Sequence, residues 1–241
     1  MLRLPVPRRI ASLAAVGIAL TTLAGLAPSP VIVRDRFTNN AINPTLWDQH
    51  SFGVVTLSEI NQRLQFAAPV NSGGESYAGL EVAPWGANWR YDFEIEVDYK
   101  LNLSNVSGSR EVLLGIGLAL VGQFPENFTG FAAAVGRDDA GLFLAIARYN
   151  NGNIVAFDDA NLGAAQGQLT LEWDRSSDQF RASVGATEVA LNGAWAQFGA
   201  AMGNQPMVIG IGCMTVNGNR TFPGSRVFMD EFKFDGVKRA R

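Results

Sequence analysis

From Val31 onward, apolar residues recur at every second position rather than every third or fourth. The stretch "FEIEVDYKLNL" shows it most plainly. Phe93, Ile95, Val97 and Tyr99 alternate with Glu94, Glu96, Asp98 and Lys100. Successive side chains of a strand point to opposite faces, so this run predicts one buried face and one wet face carrying a row of three carboxylates. "RLQFAA" alternates in the same way. "EVLLGIGLALV" is apolar on both faces, the pattern of a fully covered strand. "FTGFAAAVGR", "LFLAIARY", "MVIGIGCMTV" and "RVFMDEFKFDG" predict further strands. In "YNNGNIVAF", the Asn-Asn-Gly-Asn between two apolar runs predicts a tight hairpin. "LTLEWDRSSDQFRASVGATEVAL" predicts three strands, with turns at Asp174–Asp178 and around Gly185-Ala186. One short helical turn is predicted within residues 193–203, "GAWAQFGAAMG".

Many short strands separated by turn signals, with no alternating helices, predict an all-β antiparallel sandwich or barrel. No linker or low-complexity tract interrupts the pattern, so one domain is expected over residues 31–236, with a loose basic tail at 237–241. "LLGIGLAL" and "VIGIGCMT" resemble one another, but one such pair does not make a repeat array.

Composition narrows the chemistry. The chain has 241 residues, is 47% hydrophobic and 17% charged, and carries a net charge of −3, so it can build a core and has no basic surplus for nucleic acid. With Cys213 as the single cysteine and His50 as the single histidine, intrachain disulfides, cysteine-ligated zinc and multi-histidine metal sites are excluded. Residues 1–27 pair Arg3, Arg8 and Arg9 with an uncharged Ala/Leu-rich run, the pattern of an export signal. An uncleaved anchor is the alternative, because the run approaches the length of a membrane span. The mature chain is thus expected to be exported: secreted, periplasmic or on the cell surface. It is expected to meet a membrane only if the leader is retained.

Four segments in order carry a resemblance. "RDRFTNNAINPTLWDQ" places an aromatic after Asp35, then an Asn/Pro turn, then Trp47. "NQRLQFAAP" is a polar turn entering a short strand, and "LTLEWDRSSDQFRASVGATEV" is a strand, a turn, a strand and a return. "RVFMDEFKFDG" is a closing strand with Asp230 before alternating aromatics. This order resembles the concanavalin A-like jelly rolls: laminin-G-like domains, legume-type lectins and the β-glucanase sandwich. The resemblance implies two curved antiparallel sheets with adjacent first and last strands. It also implies a glycan site on the concave face or rim loops, and a structural calcium between the chain ends. Asp35 and Asp230 are the candidate calcium ligands, since calcium prefers several oxygen donors.

The glucanases of this fold carry Glu-x-Asp-x-Glu, and retaining hydrolysis needs two carboxyls roughly 5–5.5 Å apart. Glu94, Glu96 and Asp98 are the candidates if the protein is an enzyme. Their Glu-Glu-Asp order departs from that motif, and solvation of an outward face explains the alternation without catalysis. Trp85 and Trp89 flank a Gly-Ala-Asn turn. Exposed, they would stack on sugar rings while Asn88 and Arg90 hold hydroxyls; buried, they would cap the core. Trp47, Trp173 and Cys213 are expected in the core. Arg137, Asp138 and Asp139, and the pair Asp158 and Asp159, are expected in solvated loops, as is His50.

Three functions follow. The favoured one is an exported, non-catalytic lectin-like domain that binds a polysaccharide or cell-surface glycan, with no nucleic-acid partner. The alternatives are a glycoside hydrolase or polysaccharide lyase of the same fold, and a structural or adhesion domain of the cell envelope.

Overall fold

The computed structural model describes residues 28–67, 75–103, 111–120, 128–138, 140–192, 205–216 and 226–240. The leader of residues 1–27 and the predicted helical turn of 193–203 lie outside the described residues. All the regular structure described is strand. The first part of the chain gives β1 (Val31–Asp35), β2 (Trp47–Phe52), β3 (Thr56–Glu59), β4 (Leu64–Ala67), β5 (Ser76–Val82) and β6 (Trp85–Ala87). The middle gives β7 (Phe93–Asn102), β8 (Glu111–Leu120), β9 (Gly130–Arg137), β10 (Leu142–Asn150) and β11 (Asn153–Asn161). The last part gives β12 (Gln166–Asp174), β13 (Gln179–Val184), β14 (Thr187–Asn192), β15 (Met207–Val216), β16 (Arg226–Gly236) and β17 (Lys238–Ala240).

These strands form two antiparallel sheets packed face to face. The eight-stranded sheet runs β14-β13-β12-β7-β16-β4-β3, with β1 also on β16. The nine-stranded sheet runs β11-β10-β9-β8-β15-β5-β2, with β6 on β15 and β17 on β6. The first and last long strands pair directly, Val33 opposite Phe234, as the resemblance implied. The expected loose tail is instead ordered over Val237–Ala240. Val237 is buried, its carbonyl accepts the Asn88 N–H at 2.8 Å, and β17 pairs with β6.

Local sequence explains the turns. Between β10 and β11, Asn151 and Gly152 both have positive φ, 48° and 76°, the type I′ geometry that matches the twist of a two-residue hairpin. In β16 the register slips between Met229 and Phe232, so Asp230 and Glu231 both face Asp98 of β7. This bulge lets Met229 and Phe232, three positions apart, both stay buried.

The core lies between the sheets, and aromatic rings tie it together. Phe131 of the nine-stranded sheet stacks on Phe180 of the eight-stranded sheet at 4.0 Å between ring centroids, and Phe180 stacks on Trp173 at 4.6 Å. Trp47, Trp173 and Cys213 are core residues, as expected.

Candidate functional site

The outer face of the eight-stranded sheet holds the carboxylate row. Phe93, Ile95, Val97 and Tyr99 are buried, which turns Glu94, Glu96 and Asp98 outward. Lys233, opposite Glu96 on β16, reaches both glutamates: Nζ lies 2.8 Å from Glu96 and 3.5 Å from Glu94. Lys233 thus bridges the two carboxyls. Burial, and next the charge of Glu96, push the Glu94 carboxyl above its ordinary range, while Lys233 pulls it back. Burial likewise raises the Asp98 carboxyl, against a hydrogen bond from Gln168. This row is the wet face of the sheet, with Lys233 offsetting Glu94 and Glu96.

The predicted aromatic platform is corrected by the structure. Trp85 and Trp89 are buried, with 7% and 4% of their surface exposed. Trp85 packs on Phe234 at 4.9 Å, and the Trp89 indole donates to the Gln205 carbonyl at 3.1 Å. Large aromatic rings gain more by filling the space between sheets than by facing water. Asn88 is half-buried, its side chain accepting the Arg90 N–H at 3.3 Å. Arg90 is exposed and its carbonyl accepts from Arg175. The four residues form a structural corner.

The proposed calcium pair does not fit either. Asp35 is directed to the core, where one oxygen accepts the Phe37 N–H at 3.0 Å and the other the Trp47 indole N–H at 2.7 Å. Asp230 sits on the exposed bulge of β16. Among the described residues, no group of three or more His, Cys, Asp or Glu is placed to hold a metal ion.

Three loop assignments also change, and Asp139 lies outside the described residues. Arg137 closes β9, half-buried, and donates to the Leu103 carbonyl at 3.2 Å. Asp158 and Asp159 lie within β11 and point to opposite faces; Asp158 accepts the Ala190 N–H of β14 at 2.9 Å. His50 lies in β2, with its Nε2 3.7 Å from Glu81. Asp138 keeps its place in a turn, accepting the N–H groups of Ala140 and Gly141.

His50 and Glu81 border a feature of the nine-stranded sheet. Core residues Leu114, Ile116 and Leu118 face inward from β8, which turns Gly115 and Gly117 outward. Pairing with β15 sets Gly115 opposite Gly212 and Gly117 opposite Gly210, so the two similar "GIG" segments meet in register. The small-residue surface extends to Gly79 on β5, to Ala132 and Ala134 on β9, and to Ala145 and Ala147 on β10. One end of this floor is closed by Asp48, His50 and Phe52 of β2 and by Tyr77 and Glu81 of β5. The other end is the edge strand β11, where Asp159 pairs with Ala145 and Phe157 with Ala147. Phe157 is 54% exposed.

Glycine inside a strand costs roughly 0.5–1 kcal/mol relative to alanine. At Gly79 and Gly212 the close approach of Tyr77 explains the choice: a Cβ at either site would collide with its ring or hydroxyl. The Tyr77 ring therefore lies along the floor, stacked with Phe52 at 6.0 Å. Burial, and next the charge of Glu81, push its hydroxyl well above the ordinary range. The result is a run of small residues whose Gly79 and Gly212 end is covered by the buried Tyr77 ring beside buried Glu81, with half-exposed Phe52 beyond it and exposed Phe157 at the far edge. Phe52 and Phe157 supply apolar surface for C–H groups, and exposed Asp48 an acceptor for hydroxyls. The signal was present in the sequence as glycine or alanine at alternate positions of apolar runs; reading those runs as simply apolar hid it.

No family model and no curated protein sequence matches this chain. Solved structures do. The winged bean acidic lectin, solved with methyl-α-D-galactose, aligns over 88% of this chain and 100% of its own at TM-score 0.60 and 10% identity. The carbohydrate recognition domain of Emp47p covers 84% of this chain and 94% of its own, with TM-score 0.57 and 14% identity. The catalytic domain of an endo-1,3-β-glucanase (laminarinase) from Thermotoga petrophila RKU-1 covers 88% and 100%, with TM-score 0.54 and 15% identity. At these identities the likeness is one of fold.

Proposed function

We propose that this chain, a sandwich of the concanavalin A-like lectin/glucanase fold, is an exported, non-catalytic domain that binds a polysaccharide or cell-surface glycan on the small-residue face of its nine-stranded sheet. The observation that carries the reading is the in-register Gly/Ala floor, bordered by Asp48 and Phe52 at one end and exposed Phe157 at the other. The half-exposed Gly115, Ala132 and Ala134 admit a sugar chain close to the backbone beside the Tyr77 ring, and the borders fix its orientation. Two of the structurally similar proteins are named for carbohydrate recognition or solved with a sugar, which supports the ligand class. The ion pairs of Glu94 and Glu96 with Lys233 favour binding over hydrolysis at that row. The basic-then-apolar pattern of residues 1–27 supports export.

A glycan-array screen of the purified chain tests the reading, with turnover of the bound glycans measured in parallel. Retention of one polysaccharide class without release of shorter products is the expected result. Silence across the array overturns binding, and released products overturn the non-catalytic part.

A further inference from the structure

The outer face of the eight-stranded sheet carries a depression of about 480 Å3, on the other side of the sandwich from the small-residue floor. Its volume falls within the roughly 300–1,000 Å3 of small-molecule sites. Gln166 of β12, Lys100 of β7 and Phe228 of β16 form one cross-strand row in it. Asp98 and the bulged Asp230 form the next row. Arg63 reaches in from the β3–β4 hairpin, its guanidinium carbon 3.9 Å from the Phe228 ring centroid.

Charge is organised differently here than elsewhere on the same face. Lys233 pairs with Glu94 and Glu96, Arg181 with Glu172, and Arg34 and Arg36 approach Glu231. In the depression, neither Arg63 nor Lys100 forms an ion pair with Asp98 or Asp230. The Arg63 Nε is shut off from solvent with no hydrogen-bond partner. The signs are also segregated. Both cations belong to the Phe228 row, and both carboxylates to the row beside it. Lys100 and Asp98 are two residues apart on one strand face, a spacing of roughly 6–7 Å. A cationic side and an anionic side at that spacing form a dipolar site. A ligand with a single net charge would be repelled by one row, and a neutral ligand would gain nothing from the segregation. A molecule carrying both charges would satisfy both rows at once.

We infer that this depression binds the zwitterionic head of a free α-amino acid, with its carboxylate toward Arg63 and Lys100 and its ammonium toward Asp98 and Asp230. The inference is independent of the glycan reading, because it uses a different sheet and different side chains. The raised Asp98 carboxyl agrees with it: burial and the neighbouring charges of Glu231, Asp230 and Glu96 leave that carboxyl short of a cation.

The test is a titration of the isotopically labelled full chain with glycine, L-alanine and L-serine, followed by amide NMR shifts. Saturable shifts at Lys100, Gly167 and Phe228 are expected. Acetate and methylamine, each carrying one half of the zwitterion, should bind at least tenfold more weakly. Lys100→Gln and Asp230→Asn, both at exposed positions, should each weaken glycine binding tenfold or more while distant amides keep their shifts. No shift with any amino acid overturns the inference, as does an equal response to acetate alone. A response at these amides to methyl glucoside but not to glycine also overturns it, by making the depression a saccharide site. Shifts confined to Gly115 and Gly212 with methyl glucoside would support the floor and leave the depression refuted.

Discussion

The indole N–H of Trp47 donates to the Asp35 carboxylate at 2.7 Å, and so ties β2 of the nine-stranded sheet to the end of β1 in the eight-stranded sheet. Trp47 also meets Phe232 edge-on at 4.9 Å. The other Asp35 oxygen accepts the N–H of Phe37, a residue held at φ 48°, where a bulky side chain is strained. This carboxylate holds the sandwich together across its two sheets and also fixes a strained backbone. Asp35→Ala should cost about 1–3 kcal/mol, because it leaves a buried indole N–H without its acceptor. In urea unfolding followed by tryptophan fluorescence, the double variant with Trp47→Phe should lose less than the sum of the single variants. Additive losses would show that the two residues act separately.

Gly212→Val should destabilise the protein by about 1–3 kcal/mol, the usual range for forcing extra atoms into a packed site. The new Cβ would lie 2.7 Å from the Tyr77 ring. Combining it with Tyr77→Ala should recover part of the loss in thermal melts, since removing the ring vacates the space. A double variant less stable than the sum of the two would contradict the seating of Tyr77 on this glycine.

Phe157→Ala should abolish glycan retention on the array while changing stability by less than about 0.5 kcal/mol, as for most exposed positions. Phe157 lies on an edge strand with 54% of its surface open, so no core packing is lost. Undiminished retention would move the site away from this border.

The Glu94 carboxyl is raised by burial and by Glu96, so the native state holds its proton at a pH where the unfolded chain has released it. Stability contributed by this group is therefore greatest at low pH and falls as pH rises from the ordinary glutamate value toward the native one. Glu94→Gln should flatten that fall in a melting-temperature series between about pH 4 and 7. The gain at neutral pH should stay under about 1 kcal/mol, because the group is partly solvated. Lys233→Met should have the opposite effect, costing about 1–2 kcal/mol at neutral pH; that is below the ~3–5 of a fully buried pair because water screens the two carboxylates.

Asp174 accepts hydrogen bonds from the hydroxyls of Ser176 and Ser177 at 2.7 and 2.8 Å, and these lower its carboxyl to about 2. Its contribution to stability is present above the ordinary aspartate range and disappears as pH falls toward 2. Carbon-detected NMR titration should place the midpoint near that value. Ser176→Ala with Ser177→Ala should return it toward the ordinary range. A midpoint unmoved by both substitutions would assign the shift to another cause.

Much of the fold was legible because strand periodicity is a local property. The alternation of Phe93 to Tyr99 marks β7, Asn151-Gly152 marks the β10–β11 hairpin, and the Asp174–Asp178 turn follows from side chains that bond their own backbone. The site residues were less legible. Trp85 and Trp89 carry the same sequence signature whether they face sugar or core, since burial depends on what the other sheet brings over them. Asp35 resembled a ligand from the terminal strands until the structure placed Trp47 against it.

The sequence by itself determined the strands, their turns, the antiparallel sandwich, and the outward face of the carboxylate row. Each depends on neighbours within a few residues, where side-chain alternation and turn stereochemistry leave little choice. Only the tertiary structure decided that two separate Gly-x-Gly segments would pair residue for residue, that Lys233 would stand between Glu94 and Glu96, and that Asp35 would turn inward while Asp230 stayed exposed. Most of these relations join residues about a hundred or more positions apart, including the pairing of Asp35 with Phe232 that turns Asp35 inward, and the exposure of Asp230 turns on a single bulge. They are fixed by the register in which distant strands bury their apolar faces, and no local pattern records that register.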